Sequence, residues 1–241
     1  MFQDLEKELE GVAKQEDRLG GGGYLVNSGV YDATVKMAYI TPASSSKAQC
    51  MNIVLEVDGK EVRERVWFTN REGKPTYTKD GKKFMLPGYE TINDLCLVTT
   101  GHPFSEQTVE EKVIKVYDYE AKGEVEKALP VVTSILTKPL LAGVLMVREN
   151  KQEKNSAGDY VNIAETRDFN EFDKFFHKDT RKTVPELKRG GDIAEEDMFI
   201  TLWAEKNTGE IRDRSKPVAG SGPAKAAGGA AGGGGKSLFA N

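Results

Sequence analysis

A tight β-hairpin in the first third of the chain limits its possible folds more than any other segment. The stretch CMNIVLEVDGKEVRERVWF places Val54 and Val57 before the dipeptide Asp58-Gly59, and Val62 and Val66 after it. Asp-Gly suits the positive φ angles of a two-residue turn, and such a turn joins neighbouring antiparallel strands. The stretch therefore predicts an antiparallel hairpin.

Other segments have the apolar patterning of strands and extend this prediction along the chain. They are GVYDATVKMAYI, KVIKVYDYEA, ALPVVTSIL, PLLAGVLMVREN and DYVNIAET, among which one short helix is also expected. The segment KQEKNSAG is expected to join the last two strands as a second hairpin. Together with the first hairpin, these segments predict a mainly β protein with a few helices.

Helices and connections are expected between the strands. YETINDLCLVTTG predicts a helix that ends at its glycine, FNEFDKFF also favours a helix, and DMFITLWAEKN is ambiguous between helix and strand. The segment NREGKPTYTKDGKKFMLPG is rich in turn-forming residues. It predicts a connection rather than a packed element.

Composition divides the chain into three parts. Residues 1–19 carry apolar side chains at helical spacing and predict an amphipathic N-terminal helix, followed by a run of glycines. Residues 20–214 are expected to form the β-rich body. Residues 215–241 are dominated by glycine and alanine, which bury too little apolar surface to offset the entropy cost of ordering. This last part predicts a disordered tail.

Charge and cysteine content narrow the classes of function. The chain has 241 residues and a net charge of -4, which argues against a simple polycation that coats nucleic acid but allows a local basic groove. Cys50 and Cys96 form no CxxC pair, and His102 and His177 are the only histidines, so no zinc-like spacing occurs. The acidic N-terminus and the lack of an apolar run of about 20 residues predict an intracellular protein with no membrane partner.

Motifs for catalysis are weak. The tail stretch GGGGKS resembles the end of a phosphate-binding loop, but Ala230 stands where that motif requires its first glycine, and no strand is expected before it. The chain has neither a GxSxG nor an HExxH motif. The sequence therefore favours a non-enzymatic protein that needs no cofactor. A metal-dependent nuclease stays open as an alternative, because its carboxylates could come from anywhere in the chain.

The region from Gly59 to Lys83 combines positive charge with aromatic rings. It contains eight basic and four acidic residues, a local excess of four positive charges in a chain of net charge -4. Trp67, Phe68 and Tyr77 lie among these cations, and Phe84 follows directly. Cations follow a nucleic-acid backbone and rings stack on unpaired bases, so the region favours non-specific binding of single strands.

Part of this region could instead be ordinary structure. Trp67 and Phe68 point to opposite faces of a strand, so one of them is expected in the core. The charged hairpin could also be the solvated face of an antiparallel sheet. A second basic stretch, HKDTRKTVPELKRGG, is a weaker candidate for extending the same track.

The chain resembles the single-stranded DNA-binding proteins of tailed bacteriophages. The stretches that carry the resemblance are GVYDATVKMAYITPASSSKAQCMNIVLEV, KVYDYEAKGEVEKALPVVTSIL and LWAEKNTGEIRDRSK, and it extends over roughly residues 20 to 215. The resemblance implies an OB-fold-like barrel with long loops and the disordered C-terminal tail. It also implies protection of single-stranded DNA in phage replication or recombination, in the cytoplasm of an infected bacterium. A DNA-binding cofactor of a phage RNA polymerase is an alternative.

The resemblance also implies which residues contact the ligand, because the hairpin and the loop after it would line the binding cleft. Stacking would fall to Trp67, Tyr77 and Phe84, and backbone contacts to Arg63, Arg65, Arg71, Lys74, Lys79, Lys82 and Lys83. Near the end of the tail, Leu238 and Phe239 would bind replication or transcription proteins. The tail differs from those of the family because it lacks acidic residues. A homo-oligomer is compatible with the sequence.

Overall fold

The computed structural model describes residues 24–118, 121–156 and 158–218, and this part of the chain is mainly β. Its ten strands are β1 (Gly29–Pro42), β2 (Gln49–Val57), β3 (Lys60–Trp67), β4 (Thr76–Lys79), β5 (Lys82–Met85), β6 (Val109–Asp118), β7 (Gly123–Val132), β8 (Pro139–Lys154), β9 (Tyr160–Phe176) and β10 (Ile211–Asp213). Its three α-helices are α1 (Pro87–Thr100), α2 (Val184–Arg189) and α3 (Phe199–Asn207). A mainly β protein with a few helices is therefore confirmed.

Strand β1 is the centre of the main sheet. One edge pairs antiparallel with β2, which continues into β3 through the Asp58-Gly59 turn, where both residues have positive φ. The other edge pairs with β8 over the first half of β1 and with β7 at Tyr39. Strand β8 also pairs antiparallel with β9 and parallel with β10. The predicted hairpin and the β8–β9 hairpin are both confirmed.

The path β3-β2-β1-β8-β9 bends without closing. Among the described residues, β3 and β9 form no backbone ladder, so the sheet does not close into a barrel. A side chain bridges the two edges instead, because the Phe172 N–H donates a hydrogen bond to the Glu64 carboxyl oxygen. Helix α1 packs against both β3 and β9 on this side of the molecule.

Two apolar clusters hold the body together. The larger one lies between the inner face of the sheet and α1, with Ile53, Leu55, Ile92 and Leu95 fully buried. The smaller one lies on the other side of β8 and β9, where α3 covers the sheet. Cys50 and Cys96 are buried free thiols.

Four segments test the expectations drawn from the sequence. YETINDLCLVTTG is helical within α1, and Gly101 ends the helix with a φ of 77° while its N–H bonds to the Leu97 carbonyl. DMFITLWAEKN contains α3. FNEFDKFF was expected to be helical, and this was wrong, because it forms the end of β9. The turn-rich segment after β3 was expected to be a connection, but it contains the hairpin β4–β5.

Both chain ends extend beyond the described residues. The expected N-terminal helix over residues 1–19 lies outside them, as do residues 219–241 with Leu238 and Phe239. The first residues of the expected tail are described, and the Lys216 backbone exchanges two hydrogen bonds with the Asn150 side chain. Within the described ranges, no helix is long and apolar enough to cross a membrane.

We expect Gly88→Ala to destabilise the protein by about 2–3 kcal/mol. A Cβ atom at Gly88 would lie 2.0 Å from the Trp67 carbonyl oxygen, so α1 would have to move away from the end of β3. Urea unfolding measures the change. Gly123→Ala is the control, because its Cβ would meet only an ordinary contact at 3.8 Å. Equal stability of the two variants would contradict this close packing of α1.

Candidate nucleic-acid interface

Strand β3 sorts its side chains between the core and the opposite face. Val62 and Val66 are buried in the larger cluster, whereas Arg63, Arg65 and Trp67 alternate with them and are exposed. Trp67 is 45% exposed and the next residue, Phe68, is 5% exposed. The expectation that one of these two rings lies in the core is therefore confirmed, and Phe68 is the buried one.

Arg65 belongs to a row of polar side chains that crosses three strands. In the sheet register, Arg65 lies opposite Asn52, and Asn52 lies opposite Tyr39. The Arg65 Nε donates a hydrogen bond to Asn52 Oδ1 at 3.3 Å. Burial raises the pKa of Tyr39, and the positive charges of Arg63 and Arg65 partly offset this increase. The two guanidinium groups thus face the same side of the sheet as the phenol ring.

The loop after β3 is held in place by Asn70. Its Oδ1 accepts hydrogen bonds from the backbone N–H groups of Glu72 and Lys74, and its Nδ2 donates to the Thr76 carbonyl. The Arg71 carbonyl accepts a bond of 3.1 Å from the Lys47 N–H in the β1–β2 loop. Lys47 was not among the residues predicted to bind the ligand, because its place beside Arg71 depends on this contact between distant loops.

The β4–β5 hairpin carries two stacked rings. Tyr77 lies opposite Phe84, with ring centroids 5.6 Å apart and an interplanar angle of 27°. Lys79 and Lys82 pair next to them on the same face, while Lys83 lies on the other face. The rings are 40% and 42% exposed. A hydrogen bond from the Leu86 N–H to the Pro75 carbonyl closes the base of this hairpin.

A groove connects the loop to the hairpin. Its volume is about 510 Å³, and Lys74, Tyr77 and Lys83 are among the side chains that line it. This volume lies in the range of sites that bind small molecules. The groove therefore brings two of the predicted cations and one of the predicted rings together.

Ion pairing distinguishes the cations of this region. Arg63 pairs with Glu61 at 2.5 Å and Lys74 pairs with Glu72 at 2.7 Å. The remaining predicted cations have no carboxylate within 4.0 Å among the described residues: Arg65, Arg71, Lys79, Lys82 and Lys83. We call these five residues, with Trp67, Tyr77 and Phe84, the open basic–aromatic surface. Its positive charge is available to an anionic ligand.

The second basic stretch differs from this surface. Lys178 pairs with Asp32, and Arg181 pairs with Glu195 at 2.7 Å. The Lys182 ammonium donates a hydrogen bond to the Gly191 carbonyl. These three cations are used in contacts within the body, so they are weak candidates for extending the surface.

The described ranges contain no set of three or more His, Cys, Asp or Glu side chains arranged to hold a metal ion. The His102 ring contacts Glu106 at an exposed position. No protein-family model matches the chain, and neither does any curated protein.

Proposed function

We propose that this protein binds single-stranded DNA without sequence specificity, by placing unpaired bases and their phosphates on the open basic–aromatic surface. The observation that supports this most strongly is one continuous segment that combines three exposed rings with five cations that have no carboxylate partner in the described part of the chain. Phosphate groups would neutralise the cations, and bases would stack on the rings.

The exposure of the rings favours single strands as the ligand. Each of the three rings has two-fifths or more of its surface in water. A base in a duplex has both faces covered by its neighbours, so it offers no face for stacking. Stacking also works with any base, which is why the proposed binding is not specific for sequence.

We further infer that the body is an open variant of the OB-fold barrel. Several features support this inference: the strand path β3-β2-β1-β8-β9, the parallel sense of β3 and β9 along that path, and the placement of α1 between β3 and β8 in sequence. OB-folds bind oligonucleotides on the face formed by their second and third strands. In this chain, that face carries Arg65 and Trp67.

The proposed role is to protect and organise single strands during phage replication or recombination in an infected bacterium. Such a role requires no chemical step, so the proposal assigns no catalytic residue and no cofactor.

A binding assay tests the proposal directly. Fluorescence anisotropy would follow the full-length protein added to a labelled oligothymidylate of about 30 nucleotides, which exceeds the site of one OB-fold. We expect tighter binding to this strand than to a duplex of the same length, and a log–log salt slope of about -0.7 per phosphate contacted. Equal affinity for both forms, or indifference to salt, would contradict the proposal. Cleavage of the strand in Mg²⁺ would indicate a nuclease instead.

The stacked ring pair gives a more specific prediction. We expect Tyr77→Ala and Phe84→Ala each to weaken oligonucleotide binding by roughly 1–3 kcal/mol, because each loses a stacking surface. Melting temperatures should change little, since the hairpin contributes no residue to either apolar cluster. Thr78→Ala is the matched control on the other face of β4. A variant that melts earlier but retains its affinity would show that its ring serves stability instead.

A further inference from the structure

Strand β6 has a long edge that faces away from the rest of the sheet. It pairs with β7 over ten consecutive residues without a bulge, and no other described strand pairs with it. Its sequence, VEEKVIKVYD, contains no proline. Edge strands in soluble proteins usually carry a bulge, a proline, charged side chains or a cover that prevents pairing with another chain. Strand β6 lacks the first two, and its charged side chains are of both signs, so they can attract a suitably placed copy of the same strand.

The backbone of β6 shows which residues face the free edge. The Thr133 N–H bonds to the Thr108 carbonyl, in line with the ladder that pairs Val109 with Val132. In an antiparallel ladder, directly opposite residues exchange hydrogen bonds at every second position. The even-numbered residues of β6 therefore bond to β7. The odd-numbered residues direct their N–H and carbonyl groups to the free edge.

The same odd-numbered residues form an exposed row of side chains with a symmetric pattern. The row is Val109, Glu111, Val113, Lys115 and Tyr117, all exposed. Val113 is 68% exposed, Val109 45% and Tyr117 58%. Val113 lies at the centre of the row, with the negative Glu111 on one side and the positive Lys115 on the other. An apolar or aromatic residue lies at each end of the row. Among the described residues, neither Glu111 nor Lys115 has an ion-pair partner.

We propose that the free edge of β6 pairs with β6 of a second copy of this chain, antiparallel and about a two-fold axis at Val113. The two Val113 side chains then meet at the axis. Glu111 of each copy lies opposite Lys115 of the other, and Val109 lies opposite Tyr117. Cross-strand pairs of opposite charge and of apolar residues stabilise a sheet, and the two ribbons become one four-stranded sheet.

Neighbouring registers do not produce these matches. An axis at Lys112 places Glu111 opposite Val113, and an axis at Ile114 places Glu111 opposite Tyr117 and Val113 opposite Lys115. Only the axis at Val113 pairs the two charges. A contact through one strand edge is smaller than the roughly 1,200 Å² of stable interfaces, so the dimer is weak and depends on protein concentration in the micromolar range.

Variants with exchanged charges test the pairing. Sedimentation velocity of the full-length protein, free of nucleic acid and over a series of concentrations, measures the dimer dissociation constant. Glu111→Lys and Lys115→Glu each turn two attractive pairs into repulsive ones, and each is expected to raise the dimer dissociation constant at least about tenfold. The double variant restores both pairs in reversed order and is expected to return to within about threefold of the original value. A wild-type monomer at every concentration, single variants that dimerise normally, or a double variant that fails to recover would each overturn the proposal.

Cross-linking tests the register. Opposite residues that exchange hydrogen bonds have Cα atoms about 5.5 Å apart, which suits a disulfide. Val113→Cys is therefore expected to form a covalent dimer under mild oxidation. Val109→Cys is the control, because it is the same substitution and the two copies of residue 109 lie eight residues apart along the paired strands. Equal cross-linking of the two variants, or none at residue 113, would rule out the axis at Val113.

Discussion

Replacement of Arg65, Arg71 and Lys83 with glutamate is expected to reduce affinity for a single-stranded oligonucleotide by at least about 100-fold in roughly 0.1 M salt. These three cations come from β3, from the loop after it and from β5, so they sample the length of the open basic–aromatic surface. Each is exposed and has no carboxylate partner among the described residues. Their removal therefore leaves no buried charge behind.

The size of the effect follows from counterion release. Each phosphate contact to a single strand contributes a log–log salt slope of about -0.7, which corresponds to roughly fivefold in affinity at about 0.1 M salt. Loss of three contacts gives the 100-fold estimate, and the introduced negative charges add repulsion. The salt slope itself should decrease in magnitude by about 2. Titrations at several salt concentrations measure both quantities.

A matched variant separates local from overall charge. Lys122, Lys138 and Lys206 are also exposed, lie outside the surface, and give the same change in net charge when replaced with glutamate. This control should lose only a few-fold in affinity. If both triple variants weaken binding equally, then net charge governs the interaction and the proposed surface has no special role.

We expect the effect of Glu64→Gln on the free energy of unfolding to depend on pH. The variant should be more favourable at alkaline pH than in acid, by up to about 4 kcal/mol. Burial raises the pKa of Glu64 to about 8, and the nearby charges of Glu171 and Asp173 act in the same direction. The hydrogen bond from the Phe172 N–H opposes this shift. The carboxyl group is therefore neutral in the folded protein at neutral pH, where the unfolded chain would ionise it.

The sign of the pH dependence follows from this difference. Between its ordinary pKa of 4.5 and about 8, Glu64 binds a proton in the folded state but not in the unfolded state. Stability is therefore greatest below that window and falls as the pH rises through it. Glutamine keeps an oxygen that can accept the Phe172 N–H bond and has no proton to lose. Its free energy of unfolding should fall less between about pH 6.5 and pH 9 than that of the wild type.

Asp94 provides the control for this measurement. Burial raises its pKa to about 6, so Asp94→Asn should change the pH dependence mainly below that value. Urea unfolding at several pH values distinguishes the two windows. Parallel curves for Glu64→Gln and the wild type above about pH 6.5 would show that Glu64 is already ionised in the folded protein.

The sequence was sufficient to predict the elements whose ends or turns require a particular backbone conformation. Asp58-Gly59 required positive φ, and Gly101 ended α1 by the same freedom, so the first hairpin and this helix could be predicted. The β4–β5 hairpin also turns at an aspartate–glycine pair, Asp80-Gly81. Its flanking residues are mostly cations and threonines rather than alternating apolar residues, and for that reason the segment resembled a loop.

The end of β9 shows how packing can imitate a helical pattern. The ladder with β8 shifts register between Gly143 and Val144, which inserts one extra residue into β9. Phe172 and Phe175 then both face the larger cluster, although they are three residues apart. Phe169 and Phe176 face the smaller cluster under α3. The helix-like spacing of these phenylalanines therefore arose because the end of β9 packs on both faces and contains a bulge. These are features of the tertiary structure that the local sequence pattern does not show.

In the candidate site, too, some features could be predicted from the sequence and others only from the structure. Alternation along β3 was enough to expect either Trp67 or Phe68 in the core, but only the structure identifies Phe68 as the buried ring. The partners of Arg63 and Lys74 follow from side-chain geometry within their own segments. Lys47 joins Arg71 through a contact between loops that are distant in sequence, so the sequence offered no signal for it.

The β4–β5 hairpin is attached to the body only at its base among the described contacts, where the Leu86 N–H bonds to the Pro75 carbonyl and the Asn70 side chain bonds to the Thr76 carbonyl. The hairpin beyond these two bonds is exposed, and neither apolar cluster depends on it. Insertions, deletions or a transplanted ribbon beyond Thr76 and before Leu86 would therefore be tolerated by the fold. An exchanged hairpin would therefore alter the exposed rings and cations of this element without a redesign of the body.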